Sequence, residues 1–212
     1  MRTPGSHNDT YASTAHRMFF ANLVKGVPPE ECQDNDGHNS DSIDALTLVI
    51  PILVKFSDEP KDVLYKRAID MINVTRRTKA LDKYAMALTD IMVDVLNGKD
   101  LRETIERYGN EYFQSSVRKM VETNRDDPMV ACYIQSSFPA LLHFAYKYAE
   151  NPEAAILANA NAGGENVARG SVLGALVGAA HGMNGFPEWS KTGLKAAKEI
   201  DYEIEEFLKQ EN

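Results

Sequence analysis

Residues 159–182 read Asn159-Ala-Asn-Ala-Gly-Gly-Glu-Asn166-Val-Ala-Arg-Gly170-Ser-Val-Leu-Gly174-Ala-Leu-Val-Gly178-Ala-Ala-His-Gly182. The first part, 159–166, is a polar turn of residues that tolerate left-handed backbone and exchange hydrogen bonds readily. The second carries glycine at every fourth position: Gly170, Gly174, Gly178 and Gly182. On a helix of about 3.6 residues per turn, four-residue steps advance only roughly 40° each, so these glycines form a slowly drifting groove. Each interior glycine costs up to about 1 kcal/mol of helix propensity relative to alanine, which makes sense where another backbone packs very close. A Gly-Gly-Glu turn that opens a helix also directs free N–H groups and the positive helix end at one point, which suits an anion.

Outward from this stretch, the chain keeps a helical period. Tyr11 to Lys25 places Ala15, Met18, Phe19 and Leu23 on one side and stops at Gly26. Ile43, Leu46, Ile50 and Leu53 share one face of a helix that Pro51 is expected to kink. Pro60 stands near the first turn of the next helix, with Leu64, Ala68, Met71 and Ile72 inward. Leu81 to Leu96 is periodic and ends at Gly98. Asp100 and Glu103 form a capping-box-like start to a short helix that Gly109 ends. Further helices are expected over 113–121 and over 130–137 behind an Asp127-Pro128 cap. Others are expected over 140–149, opened or bent by Pro139, and from Asn151-Pro152 into the Asn159 turn. The last helix places Ile200, Ile204, Phe207 and Leu208 on one face. No segment shows a two-residue alternation of β-branched residues, so the expected fold is all-α, a single domain over residues 1–212 without repeats.

Composition narrows the function. A chain of 212 residues, 43% hydrophobic and 25% charged, can bury a real core and is not of disordered type. A net charge of −8 with scattered basic residues argues against nucleic acid as a partner. Cys32 and Cys132 are isolated, without metal or redox spacing, which fits a reducing, cytoplasmic setting. The longest apolar run, around Val172 to Ala180, is far short of the roughly 20 residues a membrane span requires.

The Asn-rich turn, the Gly-Gly-acid step and the glycine helix together resemble the C-terminal signature of the ADP-ribosylglycohydrolase family. There, Gly-Gly-Asp-x-Asp-Thr precedes a Gly/Ala-spaced helix. His16-Arg-Met-Phe-Phe-Ala-Asn22 and Asp34-Asn-Asp-Gly-His-Asn39 resemble the branch that includes the J-crystallins and selenoprotein J. Val74-Thr-Arg-Arg77 stands where the wider family carries a Thr-His pair near its cleft, and Tyr133 to Leu142 resembles the helix before the signature. The resemblance implies an orthogonal helical bundle in which two acidic motifs hold a pair of magnesium ions. These orient ADP-ribose for attack at its anomeric carbon. In this chain the first Asp position of the signature is Glu165, the second is Val167 and the Thr position is Ala168. The family's opening Gly-Asp-Ala-x-Gly and Thr-Asp-Asp-Thr have no counterpart, His7-Asn-Asp-Thr10 being the nearest stretch. The N-terminal third of the family domain is therefore expected to be absent, leaving an uncovered apolar groove that favours self-association.

The resemblance makes Glu165 the candidate magnesium ligand; otherwise it is a helix-start Glu that caps free N–H groups. Asn159, Asn161 and Asn166, beside Gly163 and Gly164, are candidates for contacting a ribose or phosphate, or else they satisfy the turn itself. Asp36, His38 and Asn39 are candidates for lining the same cleft. The alternative has Asn39 or Ser40 capping a helix with Asp41 and Asp44 in its first turn. His16, His143 and His181 fall on helices beside apolar residues, where satisfied, partly buried imidazoles are expected. No Ser/His/Asp or Cys/His order has supporting context, so no catalytic residue is assigned. The expected function is hydrolysis of ADP-ribose glycosidic linkages with a substituted metal motif. The alternative is a non-catalytic relative, either a J-crystallin-like structural protein or a binder of ADP-ribose-like ligands.

Overall fold

The computed structural model describes residues 12–37, 39–124 and 126–209. Tyr11, His38 and the stretch 7–10, on which parts of the sequence reading fall, lie outside them. The described residues form an all-α fold: α1 (Thr14–Val24), α2 (Asp44–Thr47), α3 (Ile50–Lys55), α4 (Lys61–Asn73), α5 (Asp82–Leu96), α6 (Leu101–Phe113), α7 (Val117–Thr123), α8 (Ile134–Lys147), α9 (Pro152–Ala162), α10 (Val167–His181), α11 (Glu188–Thr192) and α12 (Ala197–Lys209). Among these residues no helix is long and apolar enough to cross a membrane.

The core forms around α5. Its Leu88, Ile91, Met92 and Val95 are buried, and small Ala85 and Ala87 let α4, α6 and α10 close on it. α8 contributes Phe138, Leu141, Leu142 and Phe144, and α10 contributes Val172, Leu173, Leu176 and Val177. Several starts follow local chemistry. Asp100 accepts the Glu103 N–H at 2.9 Å, and Asn151 accepts the Ala154 N–H at 3.0 Å, each capping a helix.

Other boundaries differ from the local reading, each for a packing reason. Pro51 does not kink a long helix; the chain breaks before Ile50, and Pro51 sits in the first turn of α3, where its missing N–H costs nothing. Gly109 does not end α6. The helix continues to Phe113, and Gly109 leaves room for Val117, whose Cγ2 would stand 2.7 Å from an added Cβ. Asp127-Pro128 caps no helix. Residues 128–131 carry no regular structure, and α8 begins only at Ile134, then runs through Pro139 to Lys147. The backbone of this segment is occupied elsewhere: Val130 O accepts the Glu165 N–H and Cys132 O accepts the Ile43 N–H. Asn39 and Ser40 cap no helix either, since α2 starts only at Asp44. On α1 only Ala15 is buried, and Leu23 is exposed instead of inward.

Candidate functional site

α9 extends through Ala162, so Asn159 and Asn161 belong to its last turn and only 163–166 is a true turn. Gly163 and Gly164 both take left-handed backbone, at φ 73° and 65°. At Gly164 this is enforced twice, because an added Cβ would collide with the Val130 carbonyl oxygen. That close pass lets the Glu165 N–H donate to Val130 O at 2.8 Å. The expected approach of a second backbone is thus found at the turn and not along α10. Gly170 instead faces a side chain, with Asn159 Nδ2 at 2.8 Å from its ideal Cβ position. Gly174 and Gly178 face Ile156 and Phe186 at an ordinary 3.6 Å.

Behind the turn stands Arg169, in the first turn of α10 and fully buried. Its Nε donates to Asn159 Oδ1 at 2.6 Å and its Nη2 to Gly163 O at 3.2 Å, while the guanidinium lies 4.9 Å from the Phe144 ring centroid. Nη1 has no hydrogen-bond partner among the described residues. Burial pulls the Arg169 pKa down, and the nearby Glu165 carboxylate opposes that shift. Asn159 Nδ2 donates to Asn166 O at 2.8 Å, and Asn166 Nδ2 donates to Ala160 O at 3.1 Å. Glu165 Oε1 accepts the Ala168 N–H at 2.9 Å, capping the start of α10. Asn161 is exposed.

A second polar focus is the 34–44 loop. Asp36 Oδ1 accepts the N–H groups of Asn39 at 2.8 Å and Ser40 at 2.9 Å, and its Oδ2 accepts Asn39 Nδ2 at 2.7 Å. Burial works to raise the Asp36 pKa, but the hydrogen bonds from Asn39 and Ser40 hold it below the ordinary carboxylate value. Arg76, also fully buried, fastens the loop from beneath: Nε donates to Ser40 O at 3.0 Å and Nη2 to Asp44 Oδ2 at 2.6 Å. Its Nη1 likewise has no partner among the described residues. Thr78 Oγ1 donates to Asp41 Oδ1 at 2.7 Å.

Segment 130–134 joins the two foci. At one end Val130 holds Glu165; at the other, Ile43 N–H reaches Cys132 O at 2.9 Å and Ile134 N–H reaches Asp41 O at 3.0 Å. The Cys132 thiol is pushed up by burial, then by the charges of Glu165 and Asp44, so both carboxylates act on one half-buried sulfur. The tertiary fold therefore gathers the turn, the 34–44 loop and the 76–78 segment. No hydrogen bond links Asp36 or Asn39 to residues 159–166 among the described residues, and the loop joins the site through Asp41 and Asp44.

Magnesium needs several oxygen ligands in near-octahedral array. At the turn, Glu165 already caps α10, while Val167 and Ala168 offer no side-chain oxygen. Asp44 is committed to Arg76 and Ser42, and Asp41 to Thr78. Among the described residues no group of three or more His, Cys, Asp or Glu is placed to hold a metal. The donor set does not fit a two-ion site, and the positive charge near it comes from guanidinium groups.

Val130 also lines a cleft of about 610 Å³, together with Asn124, Asp127, Ser136 and His143. Asp127 receives Lys147 Nζ at 2.7 Å, Tyr148 Oη at 2.7 Å and His143 Nε2 at 3.4 Å. Sequence reasoning expected His143 to be partly buried and satisfied, whereas it is fully buried against Asp127. That reasoning missed this cluster, whose members come from two separate segments. It also assigned no role to Arg169 or to Arg76, although the resemblance set Val74–Arg77 near the family's cleft. Their one signal was an arginine inside an otherwise apolar, glycine-spaced run, and another in a Thr-Arg-Arg string.

The family profile described as ADP-ribosylglycohydrolase matches residues 2–211. No curated protein matches the chain.

Proposed function

Since this chain belongs to the ADP-ribosylglycohydrolase family, we propose that it binds an ADP-ribose-like ligand over the 163–166 turn and the adjoining 34–44 loop, without magnesium and without cleaving the glycosidic bond. The observation that carries this reading is the buried Arg169, which holds Asn159 and the Gly163 carbonyl while its charge stands behind the start of α10. A diphosphate is attracted by a guanidinium and a helix N-terminus together, and amide side chains such as that of Asn161 suit ribose hydroxyls. Cleavage asks for more. A carboxylate has to activate water and another group has to stabilise the oxocarbenium-like transition state. The carboxylates at this site are engaged: Glu165 with a helix N–H, Asp44 with Arg76, Asp41 with Thr78.

The test is calorimetric titration of the whole chain with ADP-ribose, once with magnesium and once with chelator, beside an assay for release of ADP-ribose from glycosidic conjugates. Equal affinity in both buffers with no turnover is the expected result. Binding that requires magnesium, accompanied by turnover, would restore the hydrolase reading. Heat of binding in neither buffer would favour a purely structural role of the kind the J-crystallin resemblance suggests. Glu165→Gln leaves magnesium affinity unchanged if Glu165 is a cap, and lowers it if Glu165 is a ligand.

A further inference from the structure

α1 and α12 stand apart from the other long helices, since neither packs extensively against another helix. Each leaves apolar side chains in water. On α1 these are Phe20, Leu23 and Val24, the last 87% exposed. They follow the i, i+3, i+4 spacing of a helix that inserts one face into a groove. On α12 the face is Ile200, Ile204 and Leu208, at 40%, 52% and 51% exposure. Together with Ile50, Pro51 and Val54 of α3 they line an open groove of about 880 Å³.

The charged residues that line the two faces are of opposite sign. Residues 12–25 contain no acid and carry His16, Arg17 and Lys25 beside the apolar stripe. The groove instead carries Glu199 and Glu203. Glu205 and Glu206 of α12 are paired with Lys209, whereas Glu199 and Glu203 make no ion pair among the described residues, and neither does Lys25. Lengths agree as well: at 1.5 Å per residue, α1 spans about 16 Å and α12 about 20 Å.

From this complementarity we propose that α1 of one copy of this chain docks in the α3–α12 groove of a second copy. Phe20, Leu23 and Val24 enter the apolar floor, and Arg17 and Lys25 lie toward Glu199 and Glu203. Like-with-like pairing is disfavoured, since two α12 faces would bring rows of glutamate together and two α1 faces would oppose their cations. Each copy offers a helix at one place and a groove at another, so copies either exchange α1 reciprocally in a two-fold dimer or add head to tail.

Mixing separates this arrangement from any other. Val24→Asp disables the inserted helix, and Ile204→Asp disables the groove; both side chains are solvent-exposed, so the fold tolerates the changes. In sedimentation or light scattering without ligand, the unaltered chain is expected to rise above 23.6 kDa with concentration. Each variant alone is expected to stay at that mass. A mixture of the two retains one intact helix and one intact groove, so it reaches about twice that mass and stops. The proposal is overturned if the unaltered chain stays monomeric, if either variant alone still associates, or if the mixture stays monomeric. Should circular dichroism show lost helix in either variant, Lys25→Glu and Glu203→Lys replace them. Each is then expected to weaken association roughly three- to tenfold, and the two combined in one chain to restore it. Failure of restoration overturns the pairing. Because no ADP-ribose is present, these outcomes are independent of the ligand-binding test.

Discussion

A guanidinium taken wholly out of water needs partners for its donors, and Arg169 finds them in Asn159 and Gly163 for Nε and Nη2, whereas among the described residues Nη1 has none. Its removal strands the Asn159 Oδ1 and Gly163 O acceptors together. Arg169→Met is therefore expected to destabilise the fold by about 2–4 kcal/mol, read as a lower urea midpoint. Arg169→Lys is not expected to rescue it, because lysine brings a single donor nitrogen where Nε and Nη2 of the planar guanidinium each meet a separate acceptor. At this scale the sequence was legible in residue types but not in roles. Asn159 stood in plain view in the quoted stretch, yet whether it faces a ligand or the fold depends on Arg169, which the local pattern does not orient.

The α9–α10 hairpin is the element on which the site rests, and its glycines are not equivalent. At Gly170 a Cβ would press on Asn159 Nδ2 at 2.8 Å, and that amide also bonds Asn166 O. Gly170→Ala should displace Asn159 and cost about 1–3 kcal/mol, together with loss of ligand affinity. At Gly174 the nearest atom is Ile156 Cδ1 at 3.6 Å, ordinary contact. Gly174→Ala should therefore stabilise the protein by up to about 1 kcal/mol through helix propensity alone. Thermal or denaturant unfolding of the two variants checks both signs, and equal effects would refute the distinction. The four-residue spacing marked the groove in the sequence. Only the position of α9 decides that the first glycine is tight and the second is not.

Across the whole molecule, acid sensitivity follows from buried polar groups. Burial lowers the His143 pKa, assisted by the charge of Lys147 and opposed by the hydrogen bond to Asp127. Below an unfolded value of about 6.5 the unfolded chain binds a proton that the folded chain resists, so stability falls as pH drops through that window. Asp94 and Asp127 are opposed by burial but held below the ordinary carboxylate value, Asp94 by Lys99 and Tyr108 and Asp127 by Lys147 and Tyr148. Their contribution is complete above about pH 4 and is lost as pH falls further through their folded values. Urea midpoints between pH 8 and 3 should show both declines, and His143→Gln should remove only the upper one. The sequence by itself determined that this is an all-helical protein, where most helices lie, and that Gly-Gly-Glu opens α10. Those features arise from hydrogen bonds and side-chain periods within about four residues, which are written locally. Tertiary structure alone decided that 128–131 stays non-helical, that α6 runs past Gly109, and that Arg76 and Arg169 are buried. It also decided that α1 and α12 keep apolar faces in water. Each of these depends on a neighbour far along the chain, such as Val130 for Glu165 or Ser40 for Arg76. A buried polar group takes whichever partner the packed fold brings to it.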